Sequence, residues 1–174
     1  MEAKKRREKL KGVLESGVNP ITGSKLAGFF DVTRQVIVQD IALLRAEGYE
    51  ILATSQGYIL KDNMGGKTYS KTIACKHNKD DVKDELMTIV KYGAKIKDVK
   101  VEHPIYGEIS GMLMLQTTED VNKFLKNTQN KETSLLASLT DGVHLHTIEA
   151  FNEEVLETII KELKDKGFLL EEEI

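Results

Sequence analysis

The sequence is short of cysteine, of long apolar runs and of the apolar core that a signal peptide needs. Cys75 is the only cysteine among 174 residues, which excludes an internal disulfide and favours a reducing cytoplasm. There is no Cys-x-x-Cys pair, so a structural zinc ribbon is excluded. No run of about 18 apolar residues occurs, so we expect no membrane span. No apolar segment of the signal-peptide kind follows the basic N-terminus.

Charge is unevenly distributed, although the net charge is only −3. Residues 1–62 carry 10 lysines and arginines against 8 acidic residues, whereas residues 63–174 carry 15 against 20. The first eleven positions alone hold six basic side chains. This asymmetry indicates that the first part of the chain meets a polyanion and the second part does not.

The first 62 residues follow the order of a winged helix-turn-helix domain. Apolar residues at helical spacing predict one helix over 4–16, a second capped by Thr22 and a third capped by Thr33. Two short β runs follow over 49–60 and predict a hairpin. Three helices and a hairpin in this order would place the third helix in the major groove of DNA.

The predicted DNA contacts lie on the third helix and at the tip of the hairpin. Arginine and glutamine read guanine and adenine edges through paired hydrogen bonds. We therefore predict that DNA is contacted by the residues off the apolar face of the helix and by two hairpin residues: Thr33, Arg34, Gln35, Val38, Gln39, Ser55 and Gln56. The alternative is a small helical domain whose polar face is only solvated.

The remainder of the chain predicts an α+β domain over 68–174, after a short linker over 63–67 that is rich in turn formers. Strands alternate with helices, which is typical of an open sheet covered on one face. The predicted strands are 69–76, 99–103, 105–116, 143–149 and 168–170, and the predicted helices are 80–92, 118–127 (capped by Thr118) and 152–166.

Histidines are the chemically informative residues of this second domain. His144 and His146 lie two apart in a predicted strand and therefore share a face, with Val143, Leu145 and Thr147 on the other. His77 ends an earlier strand and Glu85 lies on the helix after it. If those two strands are neighbours, the four side chains converge, and three imidazoles with one carboxylate suit zinc, nickel or iron(II). The alternative is a pair of hydrogen-bonded strand histidines without a metal.

Cys75 and His103 are secondary candidates. Cys75 shares a face with His77 and could approach the metal, although a small buried residue is the simpler interpretation. His103 precedes Pro104 and is followed by Tyr106. We expect His103 and Tyr106 to line an effector pocket, with an outer partner of the metal ligands or a strand-end histidine as alternatives.

Several motifs carry a resemblance to a known family. The run VTRQVIVQDIALLRAEGY over 32–49 resembles bacterial winged-helix repressors. The pair Lys76-His77, VEHPIYGE over 101–108 and GVHLHTIEA over 142–150 resemble the 3H domain, which is named for its histidines. Both domains in this order are similar to the niacin-responsive transcriptional repressors of the NiaR type, from about residue 5 to residue 172.

The resemblance implies a DNA-binding repressor of NAD biosynthesis and niacin uptake genes, with nicotinic acid as co-repressor. It implies an HPr-like open-faced β-sandwich for the 3H domain and places the metal ligands on His77, Glu85, His144 and His146. We expect one divalent transition metal per subunit, nickel or zinc, and a cytoplasmic homodimer that binds a DNA operator.

Two other functions stay open on the sequence. In one, the divalent metal is itself the effector of a metal-sensing repressor. In the other, a metalloenzyme is fused to a DNA-binding domain and uses metal-bound water. The enzyme is disfavoured because Glu149 lies on the opposite face from His144 and His146 and supplies no general base. We therefore expect no enzymatic activity.

Overall fold

The computed structural model describes residues 1–63, 68–129 and 134–171, and the chain forms two compact units, residues 1–66 and 67–174. Residues 64–67 of the predicted linker lie outside the described residues. Asn63 ends a short 3-10 turn, and its side-chain amide donates to the carbonyls of Leu14 and Gly17 at 2.9 and 2.7 Å. Asn63 is thus held by the first unit, and the limits of the linker stay a prediction.

Within residues 1–63 the fold is a winged helix-turn-helix, as predicted. Its elements are α1 (Ala3–Ser16), α2 (Gly23–Phe30), α3 (Arg34–Ala46) and the antiparallel strands β1 (Ile51–Thr54) and β2 (Gly57–Leu60). The hydroxyls of Thr22 and Thr33 each accept from the N–H three residues on, so both predicted N-caps are confirmed. The core consists of apolar side chains from all three helices and β1: Leu10, Leu14, Leu26, Ala27, Phe30, Ile37, Ile41, Leu44 and Ile51.

The hairpin is attached to the loop before α2 by a close backbone contact. Ile21 and Tyr58 exchange two backbone hydrogen bonds of 2.9 and 2.8 Å. Gly57, next to this bridge, has φ of +125°, and a Cβ atom there would lie 2.3 Å from the carbonyl of Ile21. Glycine is therefore required at this position, because any side chain would be both strained and in collision.

The second unit is an α+β domain with an open antiparallel sheet, as predicted. Its elements in chain order are β3 (Tyr69–Lys76), α4 (Val82–Val90), β4 (Lys95–His103), β5 (Gly107–Leu115), α5 (Thr118–Thr128), β6 (Val143–Ala150) and α6 (Glu153–Asp165). The strand order is β3-β6-β4-β5. The helices bury one face of the sheet over a core that includes Ile73, Leu86, Ile89, Ile96, Leu115, Ile148, Leu156, Ile159 and Leu163.

Three element boundaries differ from the sequence prediction for identifiable reasons. Thr117, not Thr118, caps α5, because Asp120 is placed to complete a reciprocal capping box with Thr117. A 3-10 turn over Lys79–Asp81 delays α4 until Val82. The predicted strand over 168–170 is reduced to one bridge between Leu169 and Cys75.

The β4–β5 hairpin also differs from the prediction. β4 begins at Lys95, four positions earlier than expected, because Lys95 and Ile96 already pair with β6. Residues 104–106 form a turn, so β5 begins at Gly107. A register shift between Ile96 and Asp98 marks a bulge in β4. Among the described residues, no helix combines the length and apolar character needed to cross a membrane.

Candidate functional site

Three imidazoles surround one buried carboxylate on the helix-covered face of the sheet. His77 directly follows β3, and its Nε2 lies 2.7 Å from Oε2 of Glu85 in α4. His144 and His146 of β6 place their Nε2 atoms 3.0 and 3.5 Å from Oε1 of the same carboxylate. At most 4% of any of these side chains is exposed. The convergence predicted for these four side chains is therefore present in the geometry.

The other ring nitrogen of each histidine is fixed by a backbone carbonyl. The accepting carbonyls are that of Asn78 for His77 at 2.9 Å, that of Gly142 for His144 at 2.8 Å and that of Asp98 for His146 at 2.6 Å. A carbonyl only accepts, so each Nδ1 carries a proton. When such a ring is neutral, the lone pair is on its Nε2 atom and faces Glu85, and this is the form in which histidine binds a metal.

Glu85, His77 and His146 shift one another's pKa values. Burial opposes ionisation of Glu85, but the charge of His146 and the hydrogen bond from His144 outweigh it and hold the pKa of Glu85 well below its ordinary value. Burial likewise opposes the charged form of His146, but the Glu85 carboxylate outweighs it and raises the pKa of this imidazole. The pKa of His77 is raised in the same way. Without a metal, attraction between the Glu85 carboxylate and protonated imidazoles therefore stabilises the cluster.

One nitrogen of the cluster is left without a hydrogen bond. Nε2 of His77 is buried close to Glu85, but its orientation is not that of a hydrogen bond, and it has no hydrogen-bond partner among the described residues. A buried polar atom in this state is costly unless a cation or proton satisfies it. Three Nε2 donors and a carboxylate are ligands of zinc and nickel, so the residues present fit such an ion.

A glycine allows the loop before β6 to lie close against the backbone of His77. Gly142 has φ of +89°, and a Cβ atom there would lie 2.3 Å from the carbonyl oxygen of His77. The same glycine supplies the carbonyl that holds Nδ1 of His144. Gly142 thus fixes the spacing between the end of β3 and the start of β6, and with it the spacing of two imidazoles.

Two cavities open beside His77. The first, of about 320 Å³, is lined by His77, Asn78, Lys79, Val82, Leu135, Ala137, Ser138, Asp141 and Gly142. The second, of about 420 Å³, is lined by Lys76, His77, Asn78, Asp81, Asp141, Lys166, Gly167 and Phe168. The first combines apolar side chains with one lysine, which suits a small aromatic acid, whereas the second has two lysines and Phe168 as its only apolar side chain among the described residues.

The predicted effector residues His103 and Tyr106 line neither cavity. They lie at the β4–β5 turn, where Nδ1 of His103 accepts from the N–H groups of Ile105 and Tyr106 at 3.2 and 3.3 Å. The two rings lie 5.1 Å apart, and Tyr106 is 76% exposed. This geometry gives His103 a role in forming the turn, and a role in effector binding stays a prediction.

Most of the residues predicted to contact DNA are exposed in the first unit. Thr33, Arg34, Gln35 and Gln39 are exposed on α3, and Val38 is half-buried. At the tip of the hairpin, Ser55 is exposed and Gln56 is half-buried. The buried side of α3 carries Ile37, Ile41 and Leu44, as predicted, and also Asp40.

Asp40 was not singled out from the sequence, yet it connects α3 to the basic N-terminus. Its carboxylate accepts from Nε of Arg6 at 2.6 Å and from Nη2 at 3.3 Å, and Nη1 of Arg7 lies 3.7 Å away. Only 3% of the Asp40 side chain is exposed. Two residues of the basic run therefore position α3, while Lys4 and Lys5 remain exposed.

Comparison with known proteins agrees with both units. The 3H domain matches residues 70–172, and an HTH domain matches residues 6–59. The chain is 48% identical over 171 residues to a probable transcription repressor NiaR of Thermotoga maritima, covering 96% of each chain. It is 39% identical over 169 residues to the transcription repressor NadR of Bacillus subtilis, covering 96% of this chain and 94% of that one.

A winged helix-turn-helix joined to a 3H domain with a buried histidine cluster defines a DNA-binding transcription repressor, not an enzyme. The coverage of the two relatives extends this to nearly the whole chain. The chain belongs to the 3H-domain family of NiaR and NadR transcription repressors.

Proposed function

We propose that this protein represses genes of NAD biosynthesis and niacin uptake, with nicotinic acid as the co-repressor. The proposal is carried by one observation: a cluster of three Nε2 donors and a carboxylate, flanked by cavities, in a chain of the NiaR and NadR family. Such a repressor acts in the cytoplasm, where the operator lies.

The cluster is proposed to hold one divalent metal per subunit through His77, Glu85, His144 and His146. The support is Nε2 of His77, which has no hydrogen-bond partner in the part of the chain that the structure describes, and the common orientation of the three rings. Imidazole nitrogens with one carboxylate favour nickel or zinc over magnesium or calcium. When bound, the metal supplies a positive charge at the edge of both cavities.

DNA binding is proposed to use α3 as the recognition helix, with Thr33, Arg34, Gln35, Val38 and Gln39 facing the major groove and Ser55 and Gln56 touching the DNA from the hairpin. The support is the exposure of Thr33, Arg34, Gln35 and Gln39 on a third helix that is preceded by a basic N-terminus. The protein would act as a homodimer, because two recognition helices about 34 Å apart fit successive major grooves of a palindrome.

Nicotinic acid is proposed to occupy the cavity of about 320 Å³ beside His77. Val82 and Leu135 provide apolar contact for a pyridine ring, and Lys79 provides a charge for the carboxylate. The effector can strengthen DNA binding only by binding more tightly to the dimer geometry that fits the operator. A second candidate, favoured by the burial of the cluster, is a repressor whose effector is the metal itself.

Gel-shift titration of a niacin-transport promoter separates these candidates. With nicotinic acid, the metal-loaded protein should bind at lower protein concentration than without it. Chelator should remove this response if the metal anchors the effector. Full repressor affinity that needs the metal but ignores nicotinic acid would favour the metal sensor and contradict the proposal.

The double variant His144→Ala/His146→Ala gives a matched control, because it leaves the first unit untouched. It should lose stoichiometric metal and the response to nicotinic acid, yet keep weak DNA binding. A double variant that is still folded and still holds one metal per chain would show that the strand histidines are not the site.

A further inference from the structure

The thiol of Cys75 lies inside the histidine cluster. In the β3–β6 ladder Cys75 is directly opposite His144, so the two side chains project from the same face of the sheet. Two residues on, His77 shares that face. Cys75 is fully buried. The sheet therefore brings a sulfur atom to the same place as the imidazoles.

The distances are those of a ligand group. One ligand atom from each of Cys75, Glu85 and His144 can be chosen so that all three lie within 4.8 Å of one another. Metal bonds of about 2.3 Å to sulfur and about 2.0–2.2 Å to nitrogen or oxygen require ligand atoms closer together than about 4.5 Å. A small adjustment of these side chains would bring all three into contact with one ion.

A buried cysteine more often serves as a small apolar residue, and that alternative has to be weighed. Ile73 occupies the corresponding place opposite His146 and is a plain core residue. Cys75 differs because its neighbours are a carboxylate and an imidazole. In addition, the buried Nε2 of His77 in the same cluster has no hydrogen-bond partner among residues 1–63, 68–129 and 134–171. An unpaired donor and a thiol in one buried cluster favour a shared cation over simple packing.

We propose that Cys75 is a further ligand of the metal, bound through its thiolate beside the imidazoles and Glu85. This inference rests on the proposed metal centre. On binding, the S–H bond breaks, a sulfur–metal bond forms and the proton leaves to water, with no change of oxidation state. A soft sulfur donor makes the site selective for zinc, nickel or cobalt against magnesium or manganese.

Cobalt(II) is the probe for this proposal, and the full chain is the sample. The chain has one cysteine, so any thiolate-to-cobalt charge-transfer absorption in the near ultraviolet comes from Cys75. Wild type should bind one cobalt and show this absorption. Cys75→Ser should bind cobalt at least about tenfold more weakly, since even partners that only orient a ligand contribute that much. It should keep the visible cobalt bands and lose the charge-transfer absorption.

Ala74→Ser is the matched control, because this residue is half-buried on the opposite face of the same strand. It should keep the affinity and the absorption of wild type. If wild type binds cobalt without charge-transfer absorption, the role of Cys75 is wrong and the metal centre stands. If wild type binds no cobalt, zinc or nickel, the metal centre itself is wrong.

X-ray absorption on the cobalt-loaded wild type keeps the test decisive if Cys75→Ser does not fold. The proposal requires a sulfur neighbour at about 2.3 Å, whereas nitrogen and oxygen ligands alone lie at about 2.0–2.2 Å. A shell of nitrogen and oxygen only would overturn the assignment of Cys75.

Discussion

Replacing Glu85 by glutamine in the metal-free protein should change the free energy of unfolding by an amount that depends on pH. Glutamine keeps the size of the side chain and removes its charge. The Glu85 side chain is 1% exposed and lies within 3.5 Å of three imidazole nitrogens. The effect therefore depends on whether those imidazoles are protonated.

The direction follows from the pKa shifts. The pKa of Glu85 is lowered, so its contribution is present above the ordinary value of 4.5 and is lost as pH falls through the lowered value. The pKa values of His77 and His146 are raised, so their contribution is complete below the ordinary 6.5 and is lost as pH rises through the raised values. The paired charges stabilise most between these two ordinary values.

The magnitude follows from burial. Near pH 6 the substitution leaves imidazolium charge without its carboxylate, which should cost about 3–5 kcal/mol of unfolding free energy. Above the raised histidine pKa values, wild type instead holds a carboxylate against neutral Nε2 lone pairs, whereas a glutamine amide can donate to one of them. The difference should then shrink toward zero or change sign.

Urea unfolding with chelator present, at about pH 6 and about pH 8.5, measures the difference on both sides of the ordinary histidine value of about 6.5. Two other carboxylates act on the histidines more weakly than Glu85: Asp81 on His77 and Asp98 on His146. Asp81→Asn therefore serves as a control, and it should have a small effect at both pH values. A Glu85→Gln cost that is the same at both pH values would refute this account of the cluster.

Three further predictions test other parts of the account. Arg34→Ala should cost about 1–3 kcal/mol at the operator and relax specificity at one base pair; equal loss on random DNA would make Arg34 a phosphate contact. Lys4→Glu with Lys5→Glu should make log affinity fall less steeply with log salt, by about 0.9 per lost phosphate contact. An unchanged slope would exclude these lysines from the interface. Gly57→Ala should lower the free energy of unfolding by about 1–3 kcal/mol through strain alone. Gly28→Ala should not destabilise the protein, because nothing lies within 4 Å of a Cβ atom added there. Equal melting temperatures of the two variants would contradict the backbone contact between Gly57 and the loop before α2.

The local signals of the first unit predicted its fold because caps, apolar spacing and turn residues agree there. The hydroxyls of Thr22 and Thr33 bind backbone N–H groups three residues away, and such local effects are visible in sequence. The cap at Thr117 was also visible, since Asp120 stands three residues on, but the adjacent Thr118 competed with it. The pairing of Asp40 with Arg6 spans 34 residues, so no local pattern revealed it.

The alternation of β6 predicted which histidines share a face but not that this face is the buried one. Val143 and Leu145 are the more apolar residues, yet His144 and His146 are 3% exposed and Val143 is 37% exposed. The histidines are nevertheless the buried residues, because three backbone carbonyls accept from their Nδ1 atoms and the Glu85 carboxylate lies against their Nε2 atoms. Those carbonyls come from a bulge and two loops, whose geometry depends on tertiary contacts.

Calorimetric titration of nicotinic acid into the metal-loaded protein, with and without an operator fragment, tests the central claim most directly. If nicotinic acid is the co-repressor, it should bind more tightly when the operator is present. The factor should equal the factor by which nicotinic acid tightens operator binding, because coupling between two sites is reciprocal. Equal affinity for nicotinic acid with and without the operator, or no binding at all, would contradict the proposed function.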